Sequence, residues 1–122
     1  MSHVVKHYAI VNTRASFDAL SAKEALDAAL ILASYEMQVS LYFMADGVYQ
    51  TQDNQNPELI SMKDFIATFK ALGFYDIEDI NVCRQSLESR NLTQDFSLED
   101  VNVLDINHFT DKLNQADIVL TF

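Results

Sequence analysis

The order in which apolar runs and amphipathic segments follow one another constrains this chain most. Apolar runs occur at His7 to Asn12, Gln38 to Met44, up to Ile80–Val82, at Val101 to Leu104, and at Asp117 to Phe122. Stretches with helical spacing, or polar loops leading into them, separate these runs. A strand followed repeatedly by a helix returns the chain to the same end of the sheet, which makes neighbouring strands parallel. His7 to Asn12 is a nearly continuous apolar run, as expected of a strand covered on both faces. The expected fold is α/β: a three-layer α/β/α domain with a mostly parallel five-stranded sheet, formed as a single domain over residues 1–122.

The helical segments differ in character. Ser21 offers a cap with Glu24 three residues on, and this predicts a helix from Ala22 to about Tyr35. Its apolar positions are Ala22, Ala25, Leu26, Ala29, Leu30 and Ala33, small enough for close approach to a sheet. A second helix is expected from Leu59 to Leu72, with Phe65, Ile66, Phe69 and Leu72 on one stripe and Gly73 as its stop. Phe74 and Tyr75 follow at once. Phe65, Phe69, Phe74 and Tyr75 are therefore candidates for an interface as well as for a core. Shorter helices are expected at Arg84 to Arg90 and Ile106 to Gln115. Polar loops are expected at Thr13 to Leu20 and Thr51 to Glu58, the latter carrying the only proline, Pro57.

Charge narrows the choice of partner. Eighteen acidic against eight basic residues give a formal net charge of −10. Phosphate binding needs clustered Lys and Arg, so no direct nucleic-acid binding is expected. No apolar run approaches membrane-spanning length and no segment resembles a signal peptide, so no membrane association is expected. A single cysteine excludes an internal disulfide and fits a reducing compartment, which points to a cytoplasmic protein. His3, His7 and His108 lack metal-ligand spacing, and neither a metal nor a cofactor is expected. No Gly-rich phosphate loop follows the first strand, which leaves nucleotide binding with little support.

Cys83 stands where the third strand gives way to a helix. The carboxyl ends of strands are where open α/β sheets place their sites, and a helix N-terminus favours a thiolate. Arg84 adds a cation beside it. Two readings of Cys83 are open: inert packing, and a nucleophile suited to sulfur chemistry. Asp46, just past the second strand, is either a candidate functional carboxylate or a turn cap.

Several stretches together resemble a known family. They are Ala45-Asp46-Gly47-Val48, the run from Phe65 to Gly73, and Tyr75-Asp76-Ile77-Glu78. Val82-Cys83 with Ser86-Leu87, and the closing Asp117 to Phe122, complete the set. The sequence resembles the DsrE/DsrF-like sulfur-relay proteins along nearly its whole length, most closely the TusC/DsrF branch. It departs from them at Thr13 to Leu20, which lacks the glycine-containing turn of relatives. The resemblance implies a five-stranded α/β/α domain and a heterohexamer with TusB-like and TusD-like sister subunits, two of each. It implies that persulfide sulfur passes through a TusE-like carrier towards 2-thiolation of tRNA wobble uridine, or that a related complex serves sulfur oxidation. The catalytic cysteine of the family lies on the TusD-like chain, at the position Cys83 matches, and Asp46 matches the family's strand-end acid. This points to a non-catalytic subunit of a sulfurtransferase complex, with a working Cys83 carrier as the alternative.

Overall fold

The computed structural model describes residues 5–14, 19–51, 77, 79–92, 94 and 101–122. Strand β1 (His7–Asn12) leads into helix α1 (Ala19–Ser34), then strand β2 (Gln38–Phe43) and a 3-10 helix at Ala45–Thr51. Strand β3 (Asp79–Cys83) runs directly into helix α2 (Arg84–Ser89), followed by β4 (Asn102–Leu104), α3 (Ile106–Leu113) and β5 (Ile118–Thr121). The five strands form one sheet in the order β4-β3-β2-β1-β5, and every pairing is parallel. The connections up to β4 move the chain one way across the sheet. The β4-to-β5 connection must then return past β3, β2 and β1 to the opposite edge. Right-handed crossovers running in opposite directions cover opposite faces, which is why α1 and α3 lie on different sides.

Strand register sorts the side chains. Ile10 pairs with Leu41 and Leu41 with Ile80, placing these residues on the α1 face. There they join Phe43, Val82, Ala25, Leu26 and Ala29 in the larger core cluster. Ala9, Val11, Tyr42 and Cys83 point the other way and cluster with Phe109 of α3. Alanines at Ala25 and Ala29, at most 2% exposed, let α1 lie close to the strands.

The carboxyl end of the sheet is closed tightly. Met44 N–H donates to the Asn12 carbonyl at 3.1 Å, and Gly47 lies directly beneath that same carbonyl. A Cβ at position 47 would stand 1.9 Å from the Asn12 oxygen, so only glycine fits. On the other side, Phe122 N–H donates to Val11 O, and Thr13 donates to Phe122 O through both its N–H and its hydroxyl.

Several boundaries differ from the sequence reading. Helix α1 begins at Ala19, so Ser21 is inside the helix and does not cap it; the run Ala19-Leu20-Ser21-Ala22 is rich enough in helix formers to extend it. Thr51 does not open an exposed loop but is 1% exposed and ends the 3-10 helix, its hydroxyl donating to Val48 O. Cys83 is the last residue of β3 rather than the residue after it. Strand β5 is a half-exposed edge strand, although its apolar run would suit a buried one, because among the described residues the return connection leaves it paired with β1 alone. The expected helix at Leu59 to Leu72, and with it Phe65, Phe69, Phe74 and Tyr75, lies outside the described residues. Among the described residues no helix is long and apolar enough to cross a membrane.

Candidate functional site

Cys83 terminates β3 and occupies the N-cap position of α2 in an extended conformation, without a side-chain capping bond. Strand alternation turns its side chain away from α2 and into the α3-face cluster, where it is 2% exposed. Ala9, Val11, Tyr42 and Phe109 are the buried members of that cluster, and Met44, Leu104, Leu113 and Ala116 pack on its rim. Among the described residues its polar neighbour is the Gln85 side-chain oxygen, which accepts from Sγ at 4.0 Å. The thiol thus lies at the strand end as expected, but in an apolar enclosure rather than beside an open helix terminus. The Arg84 guanidinium is directed to Asp105, 3.6 Å away.

Asp46 lies in the first turn of the 3-10 helix, exposed to solvent. Its carboxylate accepts from Arg90 Nε at 3.0 Å, and Arg90 Nη1 donates to Ser86 O and Ser89 Oγ. The Ala45 N–H donates to Ser86 Oγ at 3.0 Å. These contacts pin the loop after β2 to α2, with Ala45 held at a φ of 50°. Asp46 therefore serves a structural tie at this end of the sheet, and its ion-pair partner is Arg90, not Cys83.

Two polar groupings were not anticipated from the sequence, and both flank α3. At its N-terminus Asp105 caps the helix, accepting from His108 N–H at 2.8 Å, while its oxygens also meet His108 Nδ1 at 2.9 and 2.8 Å. The backbone bond from His108, its side-chain bond and the charges of His108 and Arg84 hold the Asp105 carboxyl below its ordinary range. Because Cys83 pairs with Leu104, this grouping stands at the carboxyl end of the strand next to β3. The sequence signal was an aspartate immediately before an amphipathic segment.

At the other end of α3, Lys112 Nζ donates to Asp79 at 2.5 Å and to Asn81 Oδ1 at 2.8 Å. Asn81 is fully buried; its amide donates to Leu41 O, and its Oδ1 also accepts from Asn102. Burial pushes the Asp79 carboxyl up, but bonds from Lys112, Ser40 and Asn81 and the Lys112 charge outweigh it and hold the group below its ordinary range. Ser40 Oγ also lies 2.7 Å from His7 Nε2, which extends the network to β1. The polar positions Asp79 and Asn81 alternate with Ile80 and Val82, a period-two signal that the apolar run obscured. Tyr42, buried against Phe109 with ring centroids 5.4 Å apart, has a hydroxyl with no hydrogen-bond partner among the described residues. Among the described residues no group of three or more His, Cys, Asp or Glu is placed to hold a metal ion.

An all-parallel 4-3-2-1-5 sheet with helices on both faces and one thiol at a strand end defines a small three-layer α/β domain. The DsrE/DsrF-like family matches residues 6–122, and the chain belongs to that family. It is 37% identical over 136 aligned residues to the intracellular sulfur oxidation protein DsrF of Allochromatium vinosum, covering all of both chains. The TusC homologue of Aliivibrio fischeri is 36% identical over 82% of this chain and 85% of its own. Protein TusC of Escherichia coli is 34% identical over 97% of this chain and all of its own. Among solved structures the ychN protein of E. coli shares the fold, with a TM-score of 0.75, 21% identity, and coverage of 98% and 100% of the two chains.

Proposed function

We propose that the chain is a TusC-like subunit of a sulfur-relay complex and assembles with TusB-like and TusD-like sister chains, two of each. In this reading persulfide sulfur moves through a TusE-like carrier towards 2-thiolation of tRNA wobble uridine. The observation that carries it is the full-length similarity to relatives named TusC and DsrF. The relative named for intracellular sulfur oxidation supports a second destination, in which the same kind of subunit serves sulfur oxidation. The charge of −10 fits a chain that meets basic partner surfaces and leaves tRNA contact to others.

Within such a complex this chain has a structural role. Supporting this is a thiol 2% exposed among Phe109, Tyr42 and Val11, surroundings that suit packing better than an open sulfur acceptor. Native mass spectrometry of the chain co-expressed with its sister subunits tests the assembly, and a two-of-each heterohexamer is the expected result. A chain that remains alone or pairs only with itself overturns the reading. In a heterohexamer carrying Cys83→Ser, tRNA thiolation is expected to stay near the wild-type level. Loss of thiolation with assembly intact would make Cys83 a persulfide carrier.

A further inference from the structure

We propose that α3 is a latched strap over the Cys83 thiol, held shut by a polar contact at each end, and that its local release exposes the thiol without unfolding the sheet. The inference concerns access to the thiol and holds whether or not Cys83 carries sulfur.

Three observations converge on it. First, the connection containing α3 joins the two edge strands: β4 has three residues and β5 four, and neither strand has a buried residue. A unit bounded by two short edges can leave while β1, β2 and β3 stay paired. Second, α3 has one buried side chain, Phe109, whereas Ile106 at its start is 40% exposed. Apolar burial alone holds an eight-residue helix weakly. Third, the remaining hold is polar and lies at the helix ends. Asp105 engages Arg84 of α2 at one end, and Lys112 engages Asp79 and Asn81 of β3 at the other. Phe109 and Leu113 between these latches belong to the cluster that encloses Cys83. Releasing α3 therefore removes the cover from the thiol. On the opposite face Ile80 and Val82 keep their packing in the α1-side core, to which the edge strands add only the partly buried Val103 and Leu120.

The test is the rate at which the full-length protein reacts with an aromatic disulfide, followed by release of the chromophoric thiol, together with amide exchange read by mass spectrometry. The wild-type rate is expected to level off as reagent concentration rises, because opening of α3 becomes limiting. Lys112→Met keeps most of the alkyl packing and removes the latch, and is expected to raise the rate roughly tenfold, with faster exchange confined to α3 and β4. Leu26→Ala weakens the α1 face and is expected to leave the thiol rate unchanged while lowering the urea midpoint. Three results overturn the proposal: a wild-type thiol as reactive as one in an unfolded peptide, a Lys112→Met rate equal to wild type, or a thiol rate that follows global stability in Leu26→Ala.

Discussion

On the α1 side of the sheet Ile10, Leu41, Phe43, Ile80 and Val82 meet Ala25, Leu26 and Ala29 in one continuous apolar layer. On the α3 side the same strands offer a smaller apolar patch, Ala9, Val11, Tyr42 and Cys83, beside the polar Ser40, Asp79 and Asn81, and α3 answers with buried Phe109, partly buried Leu113 and a lysine. The strands are shared, so the contrast comes from their alternate residues. Apolar packing is non-directional and adds with area, so the first face resists local opening. Polar contacts are worth about 1 kcal/mol net each and depend on geometry and pH, so the second face can be released by changing a few groups. One sheet thus carries a permanent face and a conditional one, and the thiol is on the conditional side.

The contrast is broken most directly by truncation on each face. Leu41, 1% exposed in the α1-side core, is expected to lose about 2–5 kcal/mol of stability as Leu41→Ala. Leu113, only partly buried on the α3 side, is expected to lose about 1 kcal/mol as Leu113→Ala, since part of the side chain is already in water. Urea unfolding of both variants gives the comparison. Equal losses would mean that α3 is held as firmly as α1.

Acid sharpens the contrast further. The Asp79 carboxyl is held below its ordinary range in the folded chain, so the unfolded state takes up its proton first. The stability this group contributes is fully present above roughly pH 4, its unfolded value, and is lost as pH falls through the lower folded value. Asp105 follows the same sign and so loosens the other end of α3 over the same acid range. Amide exchange between roughly pH 5 and 2 is expected to show α3 and β4 losing protection before β1 and β2. In Lys112→Met the Asp79 part of that acid sensitivity is expected to shrink. Simultaneous loss across the whole sheet would remove the distinction between the faces.

The permanent face was far more legible in the sequence than the conditional one. Continuous apolar runs and an alanine-rich helix report burial directly, which is why β1 was placed at His7 to Asn12 and the parallel order followed from alternation alone. What stayed hidden depends on pairs distant in sequence. Lys112 and Asp79 are 33 residues apart, and nothing in either segment names the other. Cys83 shows the same limit in another form. Its position at a strand end was readable, yet the direction of its side chain depended on one residue of register. With Cys83 inside β3 rather than after it, alternation sends the thiol into the Phe109 cluster instead of towards α2. Ser21 was misread because a capping pattern inside a helix-forming run looks the same as one at its start.

At neutral pH the smallest effect is expected at Tyr42, where the two kinds of packing meet. Its ring is buried against Phe109 as an apolar residue would be, while its hydroxyl has no hydrogen-bond partner among the described residues. Removing that oxygen leaves the ring packing in place and takes away an unpaired polar group, so Tyr42→Phe is expected to be neutral or more stable by up to about 1 kcal/mol at pH 7. The difference should appear at the alkaline end. Burial, with the nearby Asp79 charge, pushes the Tyr42 hydroxyl up to about 12. Between roughly pH 10 and 12 the unfolded chain sheds this proton while the folded chain retains it, so wild-type stability falls as pH rises through that window. Tyr42→Phe cannot lose that proton, and its advantage over wild type is expected to grow to on the order of 2 kcal/mol across the same window. All other ionisable groups are common to the two proteins, so the measurement is the difference between the two urea midpoints at each pH. A constant difference would mean that the Tyr42 hydroxyl reaches water when the α3 side opens, and that the conditional face extends as far as β2.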